Sequence, residues 1–224
     1  MRAEILKWER GLPARTKAAK MAALPADGAR MATFPTGWHS RGYLPHFEGG
    51  AIPQMITFHS AGSLPAEVLA RFENELRTLP ETKASPERRR LIEGYLDSGA
   101  GPCWLAREEV ARLVQNALLH FDGKRYRLHA WVIMPNHVHV LITPLEGHML
   151  AQTVHSWKSF TAKEANKLLG ATGRFWQPEY YDRFIRDERH YRVAIEYIEV
   201  NPVNAGLCAK PEDWPFGSAG ILPA

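Results

Sequence analysis

WVIMPNHVHVLITP, residues 131–144, is the stretch on which the reading of this chain turns. Residues 126–134 and 137–144 read as two strands joined by a tight turn at Pro135-Asn136. On a strand alternate side chains share a face, so His137 and His139 point one way while Val138, Val140 and Ile142 line the other. Two imidazoles so placed can ligate one divalent metal ion, or can stand as two ordinary histidines on a half-exposed sheet.

Outward from this hairpin the periodicity is clear. Residues 54–61, QMITFHSA, have strand character. SLPAEVLARFENELRTL follows with Val68, Leu69, Phe72, Leu76 and Leu79 at helical spacing. SPERRRLIEGYLDSG predicts a helix with Ser85 as N-cap, Pro86 at its first position and Gly99 at its end. A further helix is read in REEVARLVQNALLHF, and another over 148–169. A strand is expected at 180–187 and a last helix at 188–200, stopped by Asn201-Pro202. With the helical pair at 63–99 set aside as an insertion, the order is β-α-β-β-α-β. This is the ferredoxin-like α+β pattern with an antiparallel sheet and an extra C-terminal helix. Residues 1–40, rich in Ala, Gly and Pro, read as a poorly ordered extension, with Met21 and Met31 as alternative starts. The single domain is placed at 41–224.

Bulk properties narrow the function classes. The chain has 224 residues, 45% of them hydrophobic and 23% charged, which suits a soluble globular protein. No apolar run reaches the ~20 residues of a membrane span and the N-terminal segment is charged throughout, so a cytoplasmic location is expected. Two distant cysteines, Cys103 and Cys208, do not make a thiolate metal site. A net charge of +4 leans weakly toward polyanionic partners.

IEYIEVNPVNAG, residues 195–206, puts Tyr197 and Asn201 four apart on one helical face, beside the apolar face of Tyr191, Ile195 and Ile198. Tyr197 can bring a hydroxyl, and Asn201 a carbonyl oxygen, to a site on the sheet. Spacing alone equally allows a core-edge aromatic and a helix-end residue before proline.

Several segments in order carry a family resemblance: AWVIMPNHVHVLITP, HSWKSFTA, FWQPEYYDRFIRDERHY, YIEVNPVNAGL and PEDWPF, with RGYLPHFEGG and TFHSAGSLP upstream. From about residue 41 to 219 the chain resembles the REP-associated tyrosine transposases of the single-tyrosine HUH transposase superfamily. The resemblance implies that His137 and His139 are metal ligands, that Tyr197 is the nucleophile and that Asn201 is a polar third ligand. It implies Mg²⁺ or Mn²⁺ as cofactor and single-stranded or hairpin DNA as partner, nicked and rejoined through a 5′-phosphotyrosine link, by a monomer or homodimer. Tyr180 and Tyr181 are rival tyrosines on the preceding strand. Lys158 and Arg183 are the expected DNA contacts. The chain departs from the family pattern at WPFGSAG, where Gly217 precedes Ser218 in place of a doubled serine. A domesticated hairpin-binding protein without turnover is the alternative. A histidine-triad hydrolase ranks last, because position 141 is Leu where that family has a third alternating histidine.

Overall fold

A four-stranded antiparallel sheet organises the chain, which the computed structural model describes over residues 37–40 and 45–219. In chain order the elements are β1 (Gly37–Ser40), β2 (Pro45–Glu48), β3 (Gln54–His59), α1 (Ala66–Leu76), α2 (Glu81–Asp97), α3 (Glu108–His120), β4 (Tyr126–Ile133), β5 (His137–Pro144), α4 (Leu150–Leu169), β6 (Tyr181–Phe184) and α5 (Glu188–Asn204). The sheet order is β4-β5-β3-β6, and β1 pairs with β2 as a separate ribbon. Counting β3, β4, β5 and β6 as the four strands of a β-α-β-β-α-β unit, that order is 4-1-3-2 read from the β6 edge, the split arrangement expected of a ferredoxin-like fold. Gly37–Ser40, the last four residues of the stretch read as an extension, form β1; the remainder of that stretch lies outside the described residues.

The two sheet faces carry different helices. Ile56, Phe58, Val138, Val140 and Ile142 face α3 and α4, where they pack with Val114, Leu118, Val154 and Trp157. Met55, Val132 and Leu141 face α5, where they meet Ala194 and Ile198. Each large side chain sealed in these layers contributes about 1.5–3 kcal/mol of burial. A bulge between Leu128 and Ala130 shifts the alternation of β4 by one. It lets Tyr126 and Leu128 before it, and Trp131 and Ile133 after it, face the same α3/α4 core. Beyond the outer edge of β4, Phe216 and Ser218 pair with the main chain of Ile133 and Trp131, so the WPFGS segment covers that edge.

Prolines gave two of the expected boundaries, and in both places the helix runs on through the proline. α2 begins at Glu81, not at Pro86, because the Pro80 carbonyl already accepts from Lys83 and Ala84. Pro86 then sits inside the helix and forfeits one hydrogen bond. α5 likewise runs through Pro202 to Asn204, with Pro202 buried against the core. Ala205 bonds back to the Asn201 carbonyl, and the turn ends at Gly206 with φ 69°. Asn201 therefore lies within continuous helix, one turn beyond Tyr197.

The inserted pair α1/α2 has its own small core of Leu64, Phe72, Ile92 and Leu96, against which Tyr181 packs. Arg88 clamps Glu73 across the pair with bonds of 2.6 and 3.0 Å. What seats the pair on the sheet is Asn136 in the β4–β5 turn, whose side-chain amide donates to the Leu96 and Ala100 carbonyls at 3.1 and 2.8 Å. The chain leaves α2 through Gly101, at φ 78°; a Cβ there would stand 2.6 Å from Ser63 Cα, so only glycine fits. Among the described residues no helix is long and apolar enough to cross a membrane, and Cys103 and Cys208 are free thiols.

Candidate active site

His137 and His139 leave β5 on the α5 side of the sheet, both fully buried, with their Nε2 atoms 3.0 Å apart. Since the Asn136 amide nitrogen is spent on two carbonyls, its Oδ1 is the atom 2.7 Å from His137 Nδ1, and that oxygen can only accept. His137 therefore carries a proton on Nδ1 and, as the neutral ring, presents a lone pair at Nε2. His139 Nδ1 lies 2.8 Å from the Thr57 hydroxyl, its cross-strand partner on β3. A hydroxyl accepts or donates, so His139 can give its Nε2 proton to His137 or present a second lone pair beside the first. Burial holds His139 well below its ordinary pKa, with His137 as a lesser cause, so the ring is neutral near pH 7.

Asp97, the last residue of α2, completes a cluster that could hold a metal. Its Oδ1 lies 3.2 Å from His137 Nε2, and one ligand atom each of Asp97, His137 and His139 lie within 4.8 Å of one another. That oxygen is buried and closes no properly aligned hydrogen bond. Asp97 was missed in the sequence because its segment read as an insertion without function. The signal was a lone carboxylate before the helix-ending Ser98-Gly99, indistinguishable from a surface acid.

Tyr197 and Asn201 come from α5 to the same place. The Tyr197 ring meets His139 edge-on, 5.2 Å between centroids at 73°. Its hydroxyl is buried and forms no hydrogen bond, although Glu93 and Asn201 lie close enough to influence its acidity. Burial, then the charges of Glu93 and Asp97, push the phenol well above its ordinary range. Glu93 is itself raised by burial. Asn201 is 1% exposed and its Oδ1 also lacks a partner. Two converging imidazole nitrogens and the buried, unpartnered Asp97 oxygen form a donor set that fits a hard or borderline divalent cation, and Asn201 adds a buried, unpartnered oxygen beside Tyr197.

The expected DNA contacts part company. Arg183 on β6 registers with Met55 and so lies on the α5 side, where it lines a cavity of about 210 Å³ with Tyr197, Thr57 and Tyr181. The Lys158 ammonium is instead held by the carbonyls of Gln177, Pro178 and Glu179 at 2.7, 2.7 and 3.3 Å. Burial lowers its pKa to about 8, with the Glu179 charge acting in the other direction. The rival tyrosines also differ from each other: Tyr180 stacks on His46 at 4.2 Å, whereas Tyr181 shares the cavity with Tyr197.

The chain also has counterparts among known proteins. Residues 106–201 match the model of the family described as Transposase IS200 like. The chain is 29% identical over 108 residues to a REP-associated tyrosine transposase of Escherichia coli (strain K12), covering 48% of this chain and 63% of that one. It is 25% identical over 96 residues to a putative REP-associated tyrosine transposase of Haemophilus influenzae, covering 38% and 54%. The matches thus span less than two thirds of either relative. A solved REP-associated tyrosine transposase bound to a REP hairpin shares the fold, at TM-score 0.50 and 18% identity over 81% of this chain and 88% of that one. The resemblance read from the motifs is borne out: over the matched residues the chain is similar in sequence to REP-associated tyrosine transposases, and it shares the fold of one.

Proposed function

We propose that the chain is a metal-dependent DNA transposase that nicks and rejoins single-stranded DNA at REP-like hairpins. The hairpin substrate is carried over from the solved relative's bound REP hairpin. The observation that supports this reading most is the convergence of the His137 and His139 Nε2 atoms beside Tyr197, whose ring rests on His139.

In this reading the Tyr197 oxygen attacks a backbone phosphorus in line. The Oη–P bond forms and the P–O3′ bond breaks, leaving a 5′-phosphotyrosine and a free 3′-hydroxyl. Glu93 is the carboxyl near the phenol and is raised by burial, which makes it the acceptor on offer for the phenol proton. The departing 3′ oxygen takes a proton from water as it leaves. Mg²⁺ or Mn²⁺, held by His137, His139, Asp97 and Asn201, would polarise the scissile phosphate and offset the negative charge around it. Because the phosphotyrosine keeps the phosphodiester's energy, rejoining reverses the same step. Arg183 faces the strand from β6, and Lys158 serves DNA by holding the 177–179 loop in place.

Hairpin binding without turnover is the second reading, supported by the burial that raises the pKa of Tyr197 and makes its phenol a weaker acid. Incubating the protein with Mg²⁺ and a labelled hairpin oligonucleotide, then resolving a covalent adduct on a denaturing gel, separates the two. The adduct is expected in wild type, Tyr180→Phe and Tyr181→Phe and absent in Tyr197→Phe. A wild type that binds but never forms it leaves the binding reading.

A further inference from the structure

The cavity beside Tyr197 has a second basic wall. Arg183 enters it from β6 and Arg89 from α2, so the inserted helix reaches the site at more than its last residue. Arg89, Glu93 and Asp97 recur every four residues and therefore form one stripe of α2. Its far end stands over the histidines, its middle by the Tyr197 hydroxyl, and its near end on the cavity.

Both guanidiniums are half-buried, and among the described residues neither has an ion-pair partner within 4 Å. Each also raises the local positive potential. Arg183 is lowered from its ordinary pKa by burial first, then by Arg89, with Glu93 opposing. His190, on the first turn of α5, is lowered by burial and then by Arg183 and Arg186, with Arg89 adding and Asp187 opposing. Glu93 also lines this cleft, while the Asp182 carboxylate is taken up by His46 and the Phe47 amide. Two guanidiniums facing one remaining carboxylate, with Met55 and Ala194 as low-dielectric walls, are a focus for an anion. At about 210 Å³ the cavity is smaller than a typical ligand pocket of ~300 Å³ or more, which suits a single phosphate group.

We propose that Arg89 and Arg183 together bind one backbone phosphate of the DNA strand adjacent to the scissile linkage. The helical insertion is then part of the DNA-binding site. This inference rests on the DNA-processing reading above and concerns how the strand is held, not whether it is cut.

Binding in EDTA, where cleavage is not being read, isolates the proposal. The probe is a fluorescein-labelled oligonucleotide made of a palindromic hairpin and its 5′ single-stranded flank, titrated by anisotropy at several salt concentrations. Arg89→Gln and Arg183→Gln are each expected to weaken binding about tenfold and to make the salt slope shallower by about 0.7, one single-strand phosphate. The double variant loses less than the product of the two, because both hold the same group. Arg89→Lys keeps most of the affinity. A single methylphosphonate walked along the flank costs wild type about tenfold at one linkage and costs Arg89→Gln nothing there. Wild-type affinity and slope in Arg89→Gln, or a scan in which neither arginine variant masks any linkage, overturns the proposal. Because adduct formation is read separately in Mg²⁺, failure of the nicking reading and failure of this subsite give different results.

Discussion

Asn136 holds His137 by its Nδ1 edge at 2.7 Å, and this contact turns Nε2 toward Asp97. The same amide ties the β4–β5 turn to the end of α2. Asn136→Ala thus removes an orienting bond and leaves two carbonyls without their donor. Mn²⁺ affinity is expected to fall 10–100-fold, the usual effect of losing a ligand's supporting partner. Unfolding free energy should fall by about 1–3 kcal/mol. Calorimetric Mn²⁺ titration and urea denaturation check the two effects separately.

Asp97 is expected to be a ligand in its own right. Asp97→Asn keeps the shape and removes the charge, so it should weaken Mn²⁺ at least tenfold while the melting temperature of the metal-free protein holds or rises. Unchanged Mn²⁺ affinity would remove Asp97 from the set and leave the histidines with Asn201.

Tyr197→Phe separates chemistry from folding. The hydroxyl is buried without a hydrogen bond, so its removal should leave stability unchanged or raise it by about 1 kcal/mol. Adduct formation should vanish in the same protein. A large loss of stability on urea denaturation would show that the hydroxyl has a structural partner.

Lys158→Met should cost stability, about 1–3 kcal/mol, because the 177–179 carbonyls lose a charged donor. If Lys158 instead touches phosphate directly, the variant keeps its stability and loses about 0.7 from the salt slope of single-strand binding.

Stability should fall with acid below about pH 6.5. Burial lowers His59 to about 4 and His139 well below its ordinary value. Both therefore bind protons more readily in the unfolded chain. Their contribution is fully present above the unfolded pKa of about 6.5 and is lost as pH falls through the folded values, at about 1.4 kcal/mol per pH unit for each histidine. Urea titrations between pH 7 and 4 measure the slope, and His59→Gln should reduce it by one histidine's share. A flat profile across that window contradicts the buried, neutral rings.

Where the sequence was legible, it was because local periodicity and tertiary demand agree. The alternation of 137–144 separates His137 and His139 from Val138, Val140 and Ile142, and the two sheet faces separate them in the same way. The four-residue step from Tyr197 to Asn201 holds because the helix stays regular through Pro202. Where the reading stopped short, a local rule gave way: α2 starts at the Pro80 carbonyl and runs through the exposed Pro86, and α5 runs through Pro202, which is buried.

By itself, then, the sequence missed the β1–β2 ribbon but determined the order of the four sheet strands and their helices, the shared face of the two histidines and the candidacy of Tyr197. These are short-range properties, written in periods of two and 3.6 residues. Only the tertiary structure decided that Asp97, forty residues before His137, stands 3.2 Å from it, and that Arg89 shares a cavity with Arg183. Those meetings depend on how a helical pair docks onto a sheet through Asn136 and its own apolar core, and no local pattern in the chain encodes that docking.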